Sequence, residues 1–475
     1  MDASIEASSY RKGQAAAILN SLLGACYLST SSHDNDTTHA DLAWDLLQMW
    51  HDLDNRNDVD NDNGLPSPDT VSYCLTHACL HHVATQTNPS NEDYHDAAEQ
   101  ALDWARRYAK KRAGSKRRKL LASLSRRRGS SSTATDALDQ LRDLCGEDLQ
   151  VLYEDDNHEN GGGGGGGGGL VVLSKPSGVV CYHTKKTTSG KIPPSNKTKK
   201  GNTKKRRKQK QRGNEGTAAE YETERRDVSL EDALLSANVP LSTLNPDAMG
   251  IVHRLDRGTS GCIALAKNDS VHARLVADFF VRGVKKSYLA LVPTKRRVGG
   301  EQQQMDLDLD LYLNKDNDDD EQLEGNISIP VGGRPAHSTF KVLQRYDTGK
   351  TVARKCNSDV AMLLRIQTKT GRKHQVRVHC AKGLGRPIFL DPLYSKPDGY
   401  RENNDDDNDN EEEDRENDDT DAAVSLVTAI EEARHPKGHV FFLHASSLRI
   451  ERLGVNVEAE VPTWWTQAVS KLLVL

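Results

Sequence analysis

The chain has 475 residues, with 64 Lys+Arg against 69 Asp+Glu and a net charge of -5. That length allows two or three domains, and the near-balance hides strong charge segregation, so the net value says little about partners. Only 36% of residues are hydrophobic, which is low for one compact fold, but the deficit lies in low-complexity inserts. No run of about 18 apolar residues exists, which excludes a transmembrane helix. The eight cysteines lack any Cys-x-x-Cys pair. A disulfide framework is therefore disfavoured and a reducing compartment is expected. The opening Met1-Asp2-Ala3-Ser4-Ile5-Glu6 has neither a charged nor an apolar leader region, and its two acids argue against a mitochondrial presequence.

Residues 14–113 read as helices. Ala15 to Leu28 is apolar at helical spacing, and Asp41 to Leu53 repeats the pattern with Leu42, Leu46, Leu47 and Trp50. Pro68-Asp69-Thr70-Val71-Ser72-Tyr73 opens a third helix, expected to carry proline near its first turn, and a fourth runs from Asp93 through Trp104. The helices form two similar pairs: Ala25-Cys26-Tyr27-Leu28 matches Ala78-Cys79-Leu80-His81. The Pro-Asp-Thr-Val-Ser-Tyr opening resembles the pentatricopeptide repeat, a helical hairpin that reads single-stranded RNA. A plain helical extension is the alternative. Residues 106–128 are heavily basic, which fits a linker, a nuclear address or a phosphate contact. Gly161 to Gly169 reads as a tether, so 114–169 is expected to be linker.

From Leu170 the texture changes. Leu170 to Leu173 is a predicted strand, Pro176-Ser177-Gly178 a turn, and Val179 to Tyr182 a second strand. A basic insert fills 183–226, and helical character returns at Leu230 to Ala237. Val271 to Phe280 reads as an amphipathic helix and Lys286 to Val292 as a strand. Further strands are expected near Ser338 to Leu343, Val360 to Ile366, and in Val440 to Glu451. Charged inserts at about 301–325 and 400–420, with acidic cores at 314–324 and 402–420, interrupt them. Strands dominate without βα alternation, so the fold class is α+β with a mixed, largely antiparallel sheet, and a Rossmann-type sheet is disfavoured.

Two segments carry chemistry. The first is His253-Arg254-Leu255-Asp256-Arg257-Gly258-Thr259-Ser260-Gly261, followed at once by the apolar strand Cys262 to Ala266. Two arginines keep a carboxylate ionised and can also hold phosphate. The second is Thr370-Gly371-Arg372-Lys373-His374-Gln375-Val376-Arg377, expected to start a helix at Thr370-Gly371. His374 and Arg377 would then share one helical face, from which Arg377 could reach a carboxylate elsewhere. Cys74, His77, Cys79, His81 and His82 cluster on one predicted helix, but a zinc site commonly draws ligands from separate elements. Asp58 to Gly64 suggests a calcium loop, but its glycine falls late and no glutamate closes it. No metal site is assigned.

The second half resembles the RluA-type pseudouridine synthases over about residues 170–455. The matching blocks are Lys175-Pro176-Ser177-Gly178, His253 to Gly261, Lys286 to Val292, Gly371 to His379 with Gly385-Arg386-Pro387-Ile388 and Asp391-Pro392-Leu393-Tyr394, and Leu443-His444-Ala445. The resemblance implies that Asp256 is the catalytic aspartate and Tyr288 the active-site tyrosine packing on the base. It implies that Arg254 assists flipping of the target uridine. Arg377 matches the basic residue pairing with the aspartate better than Arg372 does. His253, Arg257, Arg372 and His374 join Arg254 as expected RNA-binding groups. The family's S4 RNA-binding module is not evident. No cofactor is implied. The implied partner is RNA, ribosomal or transfer RNA above an organellar transcript, bound by a monomer without a membrane. The compartment, organelle or nucleus, stays open.

Overall fold

The structure, a computed structural model, describes residues 2–30, 37–56, 68–87, 89–114, 133–155, 168–183, 229–294, 324–347, 359–394, 440–470 and 473–474. Nearly all of the basic insert after Tyr182 and of both acidic inserts lies outside the described residues. So do the Asp58 to Gly64 loop and most of the polyglycine run.

Four helices open the chain: α1 (Asp2–Thr30), α2 (Thr38–Arg56), α3 (Thr70–His82) and α4 (Glu92–Arg112). Helix α3 begins one residue after Asp69, whose carboxylate accepts from the Val71 and Ser72 backbone N–H groups. The Ser72 hydroxyl accepts in return from the Asp69 N–H, closing a capping box. Pro68 thus precedes the cap instead of occupying the first turn. In α4, Glu92 and Asp93 stand in the first turn and Lys110, Lys111 and Arg112 in the last, matching the helix dipole. Helix α1 packs on α2 and α3, and α3 on α4, so the paired helices are two stacked hairpins.

The remainder runs α5 (Leu138–Cys145), β1 (Gln150–Glu154), β2 (Leu170–Lys175), α6 (Leu230–Ser236), β3 (Ser260–Ala266), α7 (Asp269–Phe280) and β4 (Val284–Pro293). It continues with β5 (Glu324–Ile327), β6 (Ser338–Asp347), β7 (Asp359–Thr368), α8 (Gln375–Val378), β8 (Leu443–Ile450), β9 (Val455–Glu458), α9 (Thr463–Val469) and β10 (Leu473–Val474). All ten strands form one sheet in the order β1-β2-β3-β8-β4-β7-β6-β10, with β5 beside β6 and β9 beside β8. Every pairing is antiparallel except β3 with β8. The fold is α+β with a mixed, mostly antiparallel sheet.

Strands β2 and β3 are buried along their whole length. Val171, Leu173, Ile263 and Leu265 face a core shared with α5 and α6. Leu170, Val172, Cys262 and Ala264 face the opposite core, shared with α7 and β8. A strand buried on both faces reads as a continuous apolar run, as this one does.

Two expectations change. Residues 133–155 are not linker: α5 and β1 lie there, and β1 pairs with β2 through Gln150↔Ser174. The surrounding charge hides a short amphipathic helix whose Leu141 and Cys145 enter the core under β2. Val179 to Tyr182 is not a strand, since among the described residues it makes only the single bridge Val180↔Ser229. The chain turns there at Gly178, with φ of 82°, and Cys181 faces the Leu255 backbone at 3.4 Å rather than a strand partner.

The helical hairpins also dock on the sheet domain through α7. Val271 and Leu275 of α7 face the sheet, while Ala273 and Ala277 enter the cores of the hairpins. Polar anchors flank that contact. The Tyr27 hydroxyl donates to buried Asp278 at 2.9 Å, beneath the Arg452 guanidinium stacked at 4.0 Å. Arg106 Nε donates to Asp269 at 2.9 Å, and Asp269 also accepts from Ser242 Oγ and the Thr243 N–H.

Burial alone would raise the Asp269 carboxyl, but the Arg106 and Ser242 hydrogen bonds hold it below its ordinary 3.8. Such a group contributes stability that is complete above its unfolded value and lost as pH falls through its folded value. Asp269→Asn is therefore expected to lower the melting temperature near neutral pH and to flatten the acid limb of melting temperature against pH. At Gly261, φ is 103° and an added Cβ would collide with the Ala445 carbonyl of parallel strand β8. Gly261→Ala is expected to destabilise the protein by about 3 kcal/mol in urea unfolding.

Candidate active site

The loop from His253 to Thr259 delivers Asp256 to the end of β3, and it is fastened on both sides. At its start, His253 Nε2 accepts from the Ala264 N–H at 2.8 Å, and its ring packs 4.7 Å from that of Phe279. Burial, aided by the Lys286 charge, pushes this imidazole down to about 3. It is a neutral acceptor that pins the loop to β3. The expected RNA-binding group thus has Nε2 committed to the backbone.

On the other side, the Gly178 N–H donates to the Arg257 carbonyl at 2.8 Å, and Arg257 Nε donates to the Gly178 carbonyl at 3.1 Å. Arg257 therefore clamps two loops together, where a phosphate contact was expected. Beneath them lies Lys175, with no exposed surface. Its ammonium donates to the carbonyls of Pro176 at 2.7 Å and Val179 at 2.8 Å, and reaches that of Arg257 at 3.4 Å. Burial pushes it down to about 8. The Lys175-Pro176-Ser177-Gly178 turn is thus the floor of the Asp256 loop, a role its sequence did not disclose.

Asp256 keeps 17% of its side-chain surface exposed and faces Arg377 and His374. Arg377 Nη1 donates to its Oδ2 at 3.2 Å, and His374 Nε2 lies 3.6 Å from its Oδ1. Arg377 is only 4% exposed. Its Nε and Nη2 each donate at 2.7 Å to Asp391, which is fully buried. Its guanidinium lies 4.6 Å from the Phe441 ring centroid and 5.1 Å from that of Tyr394. Burial would lower this guanidinium, but the hydrogen bonds to Asp391 and the charge of Asp256 outweigh it and raise it. Arg377, not Arg372, is the partner of Asp256. Arg372 Nε donates instead to the Pro335 carbonyl at 3.2 Å.

The expected helix start is also displaced. Residues 371–374 form a turn, and α8 begins at Gln375. Buried Gln375 holds that turn: its carbonyl accepts from Thr370 Oγ1 at 2.7 Å and the Arg372 N–H at 3.0 Å. His374 precedes the helix in the left-handed region, with φ of 58°. It reaches Asp256 because of that turn and not because it shares a helical face with Arg377. Its Nδ1 lies 3.1 Å from the Tyr394 hydroxyl. Burial pushes His374 down, and the Asp256 carboxylate opposes that shift.

Tyr288 stands on β4 opposite Ile366 of β7. Against β8 the register slips between Ser287 and Leu289, so Tyr288 occupies a bulge, a device that re-aims a side chain. It packs between the two main cores. Burial, and then the Asp256 charge, raise its phenol, so it stays protonated. Arg254 is exposed, its guanidinium 5.7 Å from the Tyr182 ring centroid. Behind the bulge, Ser260 Oγ donates to His444 Nδ1 at 2.9 Å, because His444 Nε2–H donates to the Ala459 carbonyl at 3.0 Å. These bonds tie β3 to β8. Asp391, Tyr394 and Gln375 were absent from the expected site, although each lies within or beside a matching block. Their spacing carried no mark of what they would touch.

Among the described residues, no group of three or more His, Cys, Asp or Glu stands ready to hold a metal ion. In the α3 cluster, His77 is committed to the Ala98 carbonyl at 2.8 Å and Ser270 Oγ at 3.0 Å. No described helix is long and apolar enough to cross a membrane.

Residues 169–382 match the family described as RNA pseudouridylate synthase. Over that span the chain belongs to the RNA pseudouridine synthase family. The match ends before the expected 455, although β8, which carries Leu443-His444-Ala445, lies between β3 and β4 of the same sheet. An uncharacterized RNA pseudouridine synthase of Zymomonas mobilis is 36% identical over 148 residues, covering 30% of this chain and 57% of that protein. Ribosomal large subunit pseudouridine synthase C of Haemophilus influenzae is 31% identical over 167 residues, covering 35% and 45%. Ribosomal large subunit pseudouridine synthase D of Nitrosomonas europaea is 32% identical over 170 residues, covering 35% and 41%. The chain thus spans about half the length of the curated relatives it matches. The solved structure of human RNA Pseudouridylate Synthase Domain Containing 4 aligns with a TM-score of 0.37 and 16% identity, over 68% of this chain and 93% of that one.

Within this synthase domain, Arg377→Met would leave Asp391 buried without its counter-charge. Urea unfolding is expected to show a loss of about 3–5 kcal/mol. The double variant Arg377→Met/Asp391→Leu is expected to recover part of that loss, because no charge is then stranded.

Proposed function

We propose that the protein isomerises selected uridines of structured RNA to pseudouridine, with Asp256 as the essential carboxylate. The observation that carries this reading is the Asp256 carboxylate at a partly open rim, 3.2 Å from a buried arginine and beside the protonated Tyr288. The reaction breaks the N1–C1′ bond, rotates the uracil and joins C5 to C1′. The C5 proton leaves and N1 gains one, so atoms and electrons balance without a redox partner. Asp256 acts either as nucleophile toward the sugar C1′ or as base at its 2′ position; both need the ionised form. Arg377 donates to that carboxylate through Nη1 at 3.2 Å.

Extruding the target base costs a few kcal/mol, which stacking and phosphate contacts offset. Tyr288 offers the stacking ring and a phenol for proton movement. Arg254, exposed beside Tyr182, is the cation placed to enter the vacated stack or hold phosphate. Ribosomal RNA is the favoured substrate class, since relatives about 30% identical carry that name. Transfer RNA and organellar transcripts are the other classes a map would separate. The stacked N-terminal hairpins, whose α4 ends in Lys110, Lys111 and Arg112, are proposed to add RNA contacts.

The test is a transcriptome-wide pseudouridine map in cells carrying wild type or Asp256→Asn. Pseudouridine is expected to vanish at a defined set of sites, and an unchanged map overturns the reading. On the RNA so identified, Tyr288→Phe is expected to lower tritium release from C5-labelled uridine by about 100-fold or more.

A further inference from the structure

Resting on the synthase reading, we propose that the turn Asp391–Tyr394 is a positioning device that sets both Arg377 and His374 against Asp256. Asp391 holds Arg377, and Tyr394 holds His374. The turn shapes itself first. Asp391 Oδ1 accepts from the Leu393 N–H at 3.0 Å and the Tyr394 N–H at 3.2 Å. The same carboxylate takes both Nε and Nη2 of Arg377 at 2.7 Å. That fork leaves the guanidinium one direction for Nη1, toward Asp256 at 3.2 Å.

Tyr394, three residues on, contributes at two places. Its ring covers one side of the Arg377 guanidinium at 5.1 Å, with Phe441 at 4.6 Å. Its hydroxyl lies 3.1 Å from His374 Nδ1, which orients Nε2 toward Asp256. Neither is spare scaffolding. A fully buried carboxylate needs a counter-charge, and Arg377 supplies it. A histidine in the left-handed region needs a contact to hold it, and Tyr394 supplies one. Asp391 has no exposed surface and cannot touch RNA, so it acts through Arg377 and through its charge on His374. His374 faces Asp256 and Asp391, which favour its cation, and Arg377 and Lys373, which oppose it. Burial pushes His374 down, and the two carboxylates oppose that shift.

The experiment has a kinetic and a substrate-free arm. In single-turnover and steady-state assays on the mapped RNA, Asp391→Asn is expected to lower kcat about 100-fold while KM stays near wild type. Tyr394→Phe keeps the ring and loses the hydroxyl, and is expected to cost about tenfold in kcat. His374→Gln should cost as much, and the double variant no more than either single one, because both break the same contact. In the RNA-free protein, the NMR titration midpoint of the His374 ring is expected to fall in Asp391→Asn and in Asp256→Asn, and to move in Tyr394→Phe. Wild-type kcat in Asp391→Asn, additive losses in the cycle, or an unmoved His374 titration each overturn the proposal. If Asp391→Asn does not fold, the Tyr394→Phe cycle and titration decide. If wild type modifies no RNA, the proposed function fails, while the titration arm still decides the positioning role.

Discussion

A guanidinium buried between two carboxylates is the constraint around which this domain is arranged. Arg377 is almost entirely out of water, and an unpaired charge there would cost several kcal/mol. Asp391 meets that cost with two short hydrogen bonds and no exposed surface. Only after that pairing can Arg377 face Asp256 with fixed geometry. The Asp256 carboxylate, still partly open to solvent, thereby receives a fixed hydrogen-bond donor at the rim of the site. Phe441 and Tyr394 cover the guanidinium faces and exclude water, which strengthens each of these interactions.

The rest of the fold keeps this cluster in register. Strands β3 and β8 run parallel and touch at Gly261, where only a hydrogen fits beside the Ala445 carbonyl. The loop before β3 is fastened by His253 on one side and by Lys175 and Arg257 on the other. Three basic groups close to a catalytic-looking acid are thus occupied with backbone atoms. Helix α7 plays the matching part at the back of the sheet. Its two apolar faces join the sheet core to the helical hairpins, with half-buried Asp269 and buried Asp278 as polar anchors. The hairpins and the sheet domain therefore share a packed interface, which fixes the place of the hairpins relative to the Asp256 loop.

Much of this was legible along the chain. Helical spacing located α1 to α4, apolar runs located β2, β3, β4 and β7, and the absence of βα alternation pointed to the mostly antiparallel sheet. Asp256, Tyr288 and Arg377 were named from matching blocks. What escaped notice shares a physical cause. Helix α5 and strand β1 are short and sit among charges, so their periodicity is weak, yet they are held by tertiary contacts with β2. The 371–374 turn resembled a helix start because Thr, Gly and a basic run also suit one. Buried Gln375 and the left-handed His374 displaced it.

Roles of charged residues were the least legible. Arg254, Arg257, Arg372 and Arg377 are alike in composition and neighbourhood, but the fold sends them to different partners: an aromatic ring, the Gly178 carbonyl, the Pro335 carbonyl and two carboxylates. The sequence by itself determined most element types and the apolar runs of β2 and β3, and it named Asp256 as the expected acid. Those depend on local pattern and on short motifs. Only the tertiary structure decided which cation faces Asp256, that Asp391 stands behind it, and that Lys175 lies beneath its loop. Such pairings join residues from distant parts of the chain, and their strength comes from a water-poor interior that exists only once the sheet has closed around them.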